Sequence, residues 1–367
     1  MSQPLVSVVT PFHNTALYLA QCIESVLRQS YEHFEYILVD NCSSDGSGEI
    51  AQEYARRDSR IRFFRRTTLL SQVQNYNAAL TEISPESKYC KVVQADDSIF
   101  PECLSLMVRA FEQSDAIGLV SSYDLKADKV RGSGIPYQWA PFPGKEIARL
   151  YLRNSVFPFG SPTTVMYRSS LVRSQKPFYE ESLLHEDTEK CMQILESWDF
   201  AFVPQVLSFL RADNESISSV VRGFEPDKLD RYIIVQRYAA RFLEPGEAAA
   251  LKKRVRKEYY LFLAEQELRF RERSFWDYHS QGLETLGEQL DRGFLMLHVF
   301  KTIIWMGINP GFAALRVVRR LGNRGMQYKH SHRATVATGT PPELNKTTPV
   351  VDSSGSEAAL SSRERSR

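Results

Sequence analysis

Small and acidic polar residues stand just where three short apolar runs of this 367-residue chain come to an end. Thr10-Pro11-Phe12-His13-Asn14 closes the first, Asp40-Asn41-Cys42-Ser43-Ser44-Asp45-Gly46-Ser47 the second, and Gln94-Ala95-Asp96-Asp97 a later one. Asp96 and Asp97 are adjacent carboxylates at the end of an apolar strand; they repel each other and are costly there unless a cation joins them. Oxygen ligands suit Mg2+ or Mn2+, which bridge a carboxylate to substrate phosphates. A solvated turn or a helix N-cap ahead of Pro101 accounts for the same pair. Asp40 is placed either to accept hydrogen bonds from a nucleobase or ribose or to open an Asx-turn. Glu186-Asp187 opens a helical pattern, where a carboxylate serves as a general base towards a substrate hydroxyl or simply complements the helix N-terminus. The stretch Ser44-Asp45-Gly46-Ser47-Gly48 matches neither GxGxxG nor GxxxxGK[ST], so it is not read as a phosphate loop.

Groups this far apart in sequence need a scaffold that gathers them. The first 121 residues alternate between two periods. Apolar runs at 5–10, 34–39, 61–64, 89–94 and 117–121 read as strands. Residues 18–29 put Leu19, Cys22, Ile23, Val26 and Leu27 on one helical face, and 47–57, 71–83 and 103–113 read as further helices. The expected fold class is α/β, a mostly parallel sheet with helices on both faces. Such sheets bind ligands at the carboxyl ends of their strands, where the polar residues above lie. Prolines and glycines punctuate 123–162, so loops with short elements are expected. A strand at 163–167, a helix at 187–196 and one or two strands over 200–210 follow. Helical periodicity begins near Phe224 and is broken at Pro245-Gly246. Beyond about 330 the chain is Ser, Thr, Pro and charge, a composition that stays disordered. The expected domains are residues 1–222, a helical region 223–329 and a tail 330–367.

Hydrophobic residues make up 43% and charged residues 25%, which excludes a wholly disordered chain, a collagen and a disulfide-dense mini-protein. Lysine and arginine number 46 against 44 acids, so no overall basic field points to nucleic acid. Five scattered cysteines without a CxxC pair suggest reduced, buried thiols in a cytosolic protein. No signal peptide is expected at the N-terminus, and no run reaches the roughly 20 apolar residues of a membrane span.

In order and spacing, these residues form a stronger pattern than any of them singly. Val6 to Asn14, Ile23-Glu24-Ser25-Val26-Leu27-Arg28-Gln29-Ser30-Tyr31, Phe34 to Asn41 through Ser43-Ser44-Asp45-Gly46-Ser47, Asn75-Tyr76-Asn77, Ala95-Asp96-Asp97 with Pro101, and Glu186-Asp187 resemble the family-two glycosyltransferases over roughly residues 4–220. The resemblance implies the A-type, Rossmann-like nucleotide-sugar fold and a non-processive, inverting transferase. It places Thr10, Pro11, Phe12 and Asn14 along the nucleotide pocket, and Asp40 with Asn41 and Ser43 at the base, usually uracil. It sets Asp45, Asn75 and Asn77 beside nucleotide and sugar, Gln94, Ala95 and Asp96 at the donor, and Asp96 or Asp97 on a Mn2+ or Mg2+ ion. Asp187 becomes the catalytic base, with His185 either tuning it or packing. The implied partners are a nucleotide-diphosphate sugar and a saccharide or lipid-linked saccharide acceptor, as in cell-surface polysaccharide assembly, and no nucleic acid.

The chain departs from the family in two places. Gln94-Ala95-Asp96 stands where Asp-x-Asp is common, so the first carboxylate is an amide. Asp213 occupies the place of a frequent histidine, and it offers an oxygen ligand for the metal. The processive enzymes' Gln-x-x-Arg-Trp signature and multiple spans are absent, which argues against a polymer synthase. A catalytically weak sugar-nucleotide or glycan-binding protein is the alternative; a dinucleotide oxidoreductase is disfavoured by the missing GxGxxG. Gly160-Ser161-Pro162-Thr163-Thr164 should approach the crevice, with Trp139, Phe142 and Phe157 either stacking on sugars or joining the local core. Between Arg292 and Pro342 there is no acid, while Lys301, Arg316, Arg319, Arg320, Arg324, Lys329 and Arg333 interleave with apolar residues. That pattern fits helices lying on an anionic membrane surface and equally core helices with basic residues facing water. The expected location is cytoplasmic, with peripheral attachment to the inner membrane face in the first case.

Overall fold

The structure is a computed structural model that describes residues 3–132, 134–135, 141–181, 186–211 and 222–308. The chain begins with three parallel β/α steps: β1 (Val6–Phe12), α1 (Ala16–Leu27), β2 (Phe34–Asp40), α2 (Ser47–Arg57), β3 (Ile61–Arg65) and α3 (Gln72–Leu80), which lead to β4 (Tyr89–Val92). Every residue of β1 and β2 is buried, as expected of parallel strands covered on both faces. Their alternate side chains enter two cores. Val6, Val8, Tyr36 and Leu38 join one with Leu19, Ile23 and Ala51 of the covering helices. Val9, Ile37 and Val39 join the other with Tyr76 and Leu80.

The strands run in the order β3-β2-β1-β4. The chain therefore steps outward from β1 and returns on its other side, and the crevice of such a sheet opens where the order reverses, at the carboxyl ends of β1 and β4.

Beyond β4 the sheet becomes mixed. It adds β5 (Ser98–Ile99), β6 (Ile117–Lys126), β7 (Lys129–Arg131), β8 (Met166–Arg168) and β9 (Asp199–Leu210), with α4 (Cys103–Phe111), α5 (Gly144–Leu152), α6 (Ser169–Ser174) and α7 (Glu186–Ile194) between them. Strand β8 is antiparallel to both β4 and β6, while β6 and β9 are parallel. The expected α/β class holds, and the antiparallel partners are confined to this second half. The sheet and its helices differ in places from the sequence expectation. Strand β6 continues to Lys126 because its polar residues find partners inside the fold: buried Asp124 accepts from Arg131 Nε at 2.7 Å and from Thr164 Oγ1 at 3.1 Å. Helix α5 lies in the segment expected to hold loops with short elements, and is one of those elements. Its Gly144 is required by contact, since a Cβ there would lie 1.9 Å from the Trp198 carbonyl oxygen.

A 3-10 turn at Arg222–Phe224 leads to α8 (Pro226–Phe242), α9 (Pro245–Glu267), α10 (Arg273–Glu284) and α11 (Arg292–Ile308). Helix α10 was not anticipated from the periodicity. Leu229, Val235, Leu251, Tyr259, Phe275 and Leu283 share the core of α3, α5 and α7, so this region covers one face of the sheet. Among the described residues no helix is long and apolar enough to cross a membrane. Four cysteines are buried as expected, while Cys42 is partly exposed. The segment after 308, including the basic stretch and the tail, lies outside the described residues.

Candidate active site

The loops after β1 and β2 are tied to each other before any ligand is considered. The Asn14 backbone N–H donates to Ser43 Oγ at 3.0 Å, and the Asn14 side-chain oxygen accepts the Ser44 N–H at 2.9 Å. Asp45 accepts the N–H groups of Ala16 and Ser47. Asn41 uses its amide to hold both the N–H and the carbonyl of Leu70, each at 2.9 Å. Thr10 is buried against the Tyr36 hydroxyl at 3.0 Å, and Phe12 lies in the core. Asp40 is fully buried; its Oδ1 accepts the Ser43 N–H at 2.8 Å and its Oδ2 accepts Arg65 Nε at 2.9 Å. The pair fits because residue 48 is glycine, where a Cβ would collide with both side chains.

A cleft of about 1020 Å³ opens beyond the end of β4. It brings together Gln94, Asp96, Asp97, Glu186 and Asp187, with Arg211, Gly160, Ser161, Pro162 and Phe157 on its walls. Asp96 and Asp187 are partly exposed, while Asp97 and Glu186 are buried at 5%. Asp97 sits at the centre of the polar network: its Oδ2 accepts from Thr163 Oγ1 at 2.6 Å and its Oδ1 accepts the Arg211 N–H at 3.1 Å. Burial, reinforced by the neighbouring Asp96 charge, pushes the Asp97 carboxyl up to about 7. Arg211 donates to the Asp96 carbonyl at 3.2 Å and to Gln21 at 2.9 Å, and it stacks over the Tyr18 ring, so it ties the acid pair to α1. Asp187 accepts the Thr188 N–H at 2.7 Å in the first turn of α7.

Thr10, Asp40, Asn41, Ser43, Asp45, Asn75 and Asn77 do not line this cleft. Asn77 instead holds the backbone of Tyr179, with its Nδ2 on the carbonyl at 2.9 Å and its Oδ1 on the N–H at 2.8 Å. The face of α3 that reaches the cleft carries Gln72 and Tyr76, one helical turn apart, and the Tyr76 hydroxyl accepts from Gln94 Nε2 at 3.1 Å. Phe142 is not a sugar platform; it lies in the core and pairs with Phe200. Trp139, His185 and Asp213 lie outside the described residues. The far wall comes from α8 and α9, through Asp227, Arg231, Ile234, Arg254, Glu258 and Tyr259. No sequence motif marked them.

Among the described residues no group of three or more acidic, histidine or cysteine side chains forms a ready metal cage. The adjacent carboxylates of Asp96 and Asp97 fit a hard cation that keeps waters and takes its remaining ligands from phosphates. Two carboxylates held this close, one of them desolvated, are the kind of site in which a cation offsets the repulsion.

Residues 7–174 match the model of glycosyl transferase family 2. The glycosyltransferase GlyG of Streptococcus pneumoniae is 32% identical over 119 residues, 32% of this chain and 39% of that protein. The putative glycosyltransferase EpsE of Bacillus subtilis is 32% identical over 180 residues, 48% of this chain and 61% of that protein. The matched segments thus span less than two thirds of these curated relatives. S. aureus TarS residues 1–349 in complex with UDP-GlcNAc superimposes with a TM-score of 0.55 at 17% identity, covering 76% of this chain and 79% of that one. That likeness is one of fold, and it is the A-type fold expected from the resemblance.

Proposed function

We propose that this chain, whose residues 7–174 match the glycosyl transferase family 2 model, transfers a sugar from a nucleotide-diphosphate sugar, a UDP-sugar by resemblance, to a hydroxyl of a glycan or lipid-linked saccharide with inversion. The observation that carries the reading is the single cleft shared by Asp96, Asp97 and Asp187. Asp187 accepts the proton of the acceptor hydroxyl as that oxygen attacks the anomeric carbon. The bond to the diphosphate breaks on the opposite face, so one displacement inverts the centre. Asp96, with Asp97 behind it, would hold a Mn2+ or Mg2+ ion, which would supply positive charge against the departing diphosphate. Arg211 fixes the acid pair relative to α1. The β1–α1 and β2–α2 loops receive the nucleotide; Asp40 reaches a base only by exchanging its Arg65 partner. Removing a general base costs about 10²–10⁴-fold in rate. Asp187→Asn is therefore expected to bind donor normally and lose turnover by that factor, and turnover at the parental rate overturns the assignment. Gln94, an amide in place of a carboxylate, favours one second reading, a weakly catalytic sugar-nucleotide binder; the absence of donor hydrolysis in the presence of Mn2+ would support it.

The protein also meets a membrane surface in this reading. Met296, Phe300, Ile304 and Ile308 stand at four-residue steps along α11, each at least 45% exposed. Lys301 is on the same helix, and the acid-free basic stretch follows it in sequence. An apolar strip beside basic residues is the pattern of a helix lying in an anionic lipid interface.

A further inference from the structure

Helix α7 carries Asp187 into the cleft and is anchored to α8 two residues further on. Glu189 is 2% exposed. Its Oε1 accepts from Arg237 at 2.5 Å and from the Tyr238 hydroxyl at 3.2 Å, both on α8. Arg237 also donates to the Thr285 carbonyl at 3.0 Å, where α10 ends. Residues two apart on an α-helix point roughly 200° from each other. The contact that holds Glu189 on α8 therefore fixes the rotation of α7 about its axis, and with it the direction in which Asp187 enters the cleft. The hold is charge-assisted and mostly shielded from water, the setting in which such bonds are strongest. It is also one of a group: α8 and α9 grip α5 as well, through Arg149 on the Phe242 carbonyl at 2.7 Å and Arg153 on Glu247 at 2.7 Å.

We propose that the Arg237–Glu189 pair is a positioning device, through which the helical region beyond the family-matched segment aims the Asp187 carboxylate at the acceptor hydroxyl. The inference rests on Asp187 being the general base. A misplacement of about 1 Å can cost 10²-fold in rate, so the device acts on turnover and leaves donor binding alone.

The test is a double-mutant cycle in the full chain, with donor and acceptor turnover and donor binding both measured. Arg237→Met is expected to lower kcat roughly 10–100-fold with donor affinity unchanged, and Arg237→Lys, which keeps one donor to Glu189, to recover part of the loss. In an Asp187→Asn background the Arg237→Met change is expected to add nothing, because the group it positions is already inactive. An equal loss in both backgrounds, or a kcat at the parental value in Arg237→Met, overturns the proposal. Should Arg237→Met fail to fold, Glu189→Gln replaces it in the same cycle with the same two outcomes. A parental rate in Asp187→Asn alone instead refutes the catalytic reading, so the two failures are distinguishable.

Discussion

Thr163 donates a 2.6 Å hydrogen bond to Oδ2 of Asp97 while its hydroxyl oxygen accepts the Gln94 N–H at 3.0 Å. One side chain from the segment before β8 thus holds both ends of the acidic turn after β4. The same segment is fixed from below by Lys91, fully buried, whose ammonium donates to the Thr163 carbonyl at 2.6 Å. The acid pair is held in place by groups that are themselves fully buried, and the arrangement has a measurable cost.

That cost appears in the pH dependence of stability. The Asp97 carboxyl is pushed from its ordinary 3.8 up to about 7, by burial first and by Asp96 second. The folded protein therefore keeps this proton to a higher pH than the unfolded chain. Its contribution falls as pH rises through that window and stays low above about 7. Asn at 97 carries no proton and can still accept the Arg211 N–H. Asp97→Asn is expected to melt higher than the parent at pH 8, with the gap narrowing towards pH 5. A gap that is constant across this range would show that Asp97 is not its source.

Asp96→Ala removes the partly exposed carboxylate of the pair and leaves the Thr163–Asp97 contact in place. Donor affinity in the presence of Mn2+ is expected to fall by roughly 10–100-fold, the order seen when groups supporting a metal site are removed. Affinity in EDTA should hardly change. Calorimetric titration of donor with and without Mn2+ reads both, and an equal loss in the two conditions would assign Asp96 to the sugar or nucleotide instead of a cation.

The legible part of the fold is the part in which local pattern and tertiary role coincide. Phe34 to Asp40 reads as a strand because it is buried on both faces, and 47–57 reads as a helix because polar and apolar residues alternate with its period. Asp124 shows the limit. A carboxylate ends a strand on paper, yet here it lies inside β6 because Arg131 and Thr164 reach it from distant positions. Asp96, Asp97, Glu186 and Asp187 were legible through their place at strand and helix ends. The roles of Arg211 and Glu189 were not. They depend on side-chain direction and on partners up to 190 positions away, such as Gln21 for Arg211.

Helix α11 carries a prediction that does not involve the cleft. Phe300 and Ile304 are 62% and 45% exposed, whereas Leu295 and Val299 are buried against the preceding helices. Phe300→Glu with Ile304→Glu should therefore spare folding and place two negative charges on the face proposed to meet lipid. The full chain is expected to float with vesicles containing anionic lipid and to be released by salt; the double variant is expected to stay in solution. Equal flotation of the two proteins would remove α11 as the contact.

A buried histidine gives the helical region an acid limit of its own. His279 is fully buried. Its Nε2 lies 2.9 Å from the Phe224 carbonyl and its Nδ1 lies 2.8 Å from the Tyr259 hydroxyl. A carbonyl can only accept, so Nε2 carries the proton and the Tyr259 hydroxyl donates to Nδ1. Burial depresses the imidazole from 6.5 to about 4. The unfolded chain takes up this proton first as pH falls, so stability is lost from about pH 6.5 downward and levels off below about 4, amounting to about 3 kcal/mol. A second proton would also expel the Tyr259 hydroxyl from its acceptor, and Tyr259 lines the cleft. His279→Gln is expected to be less stable than the parent at pH 7.5, because it loses ring packing against Phe275 at 4.3 Å between centroids. Its melting temperature should then fall less than the parent's between pH 7.5 and 4.5. Parallel pH profiles for the two proteins would place the acid sensitivity elsewhere.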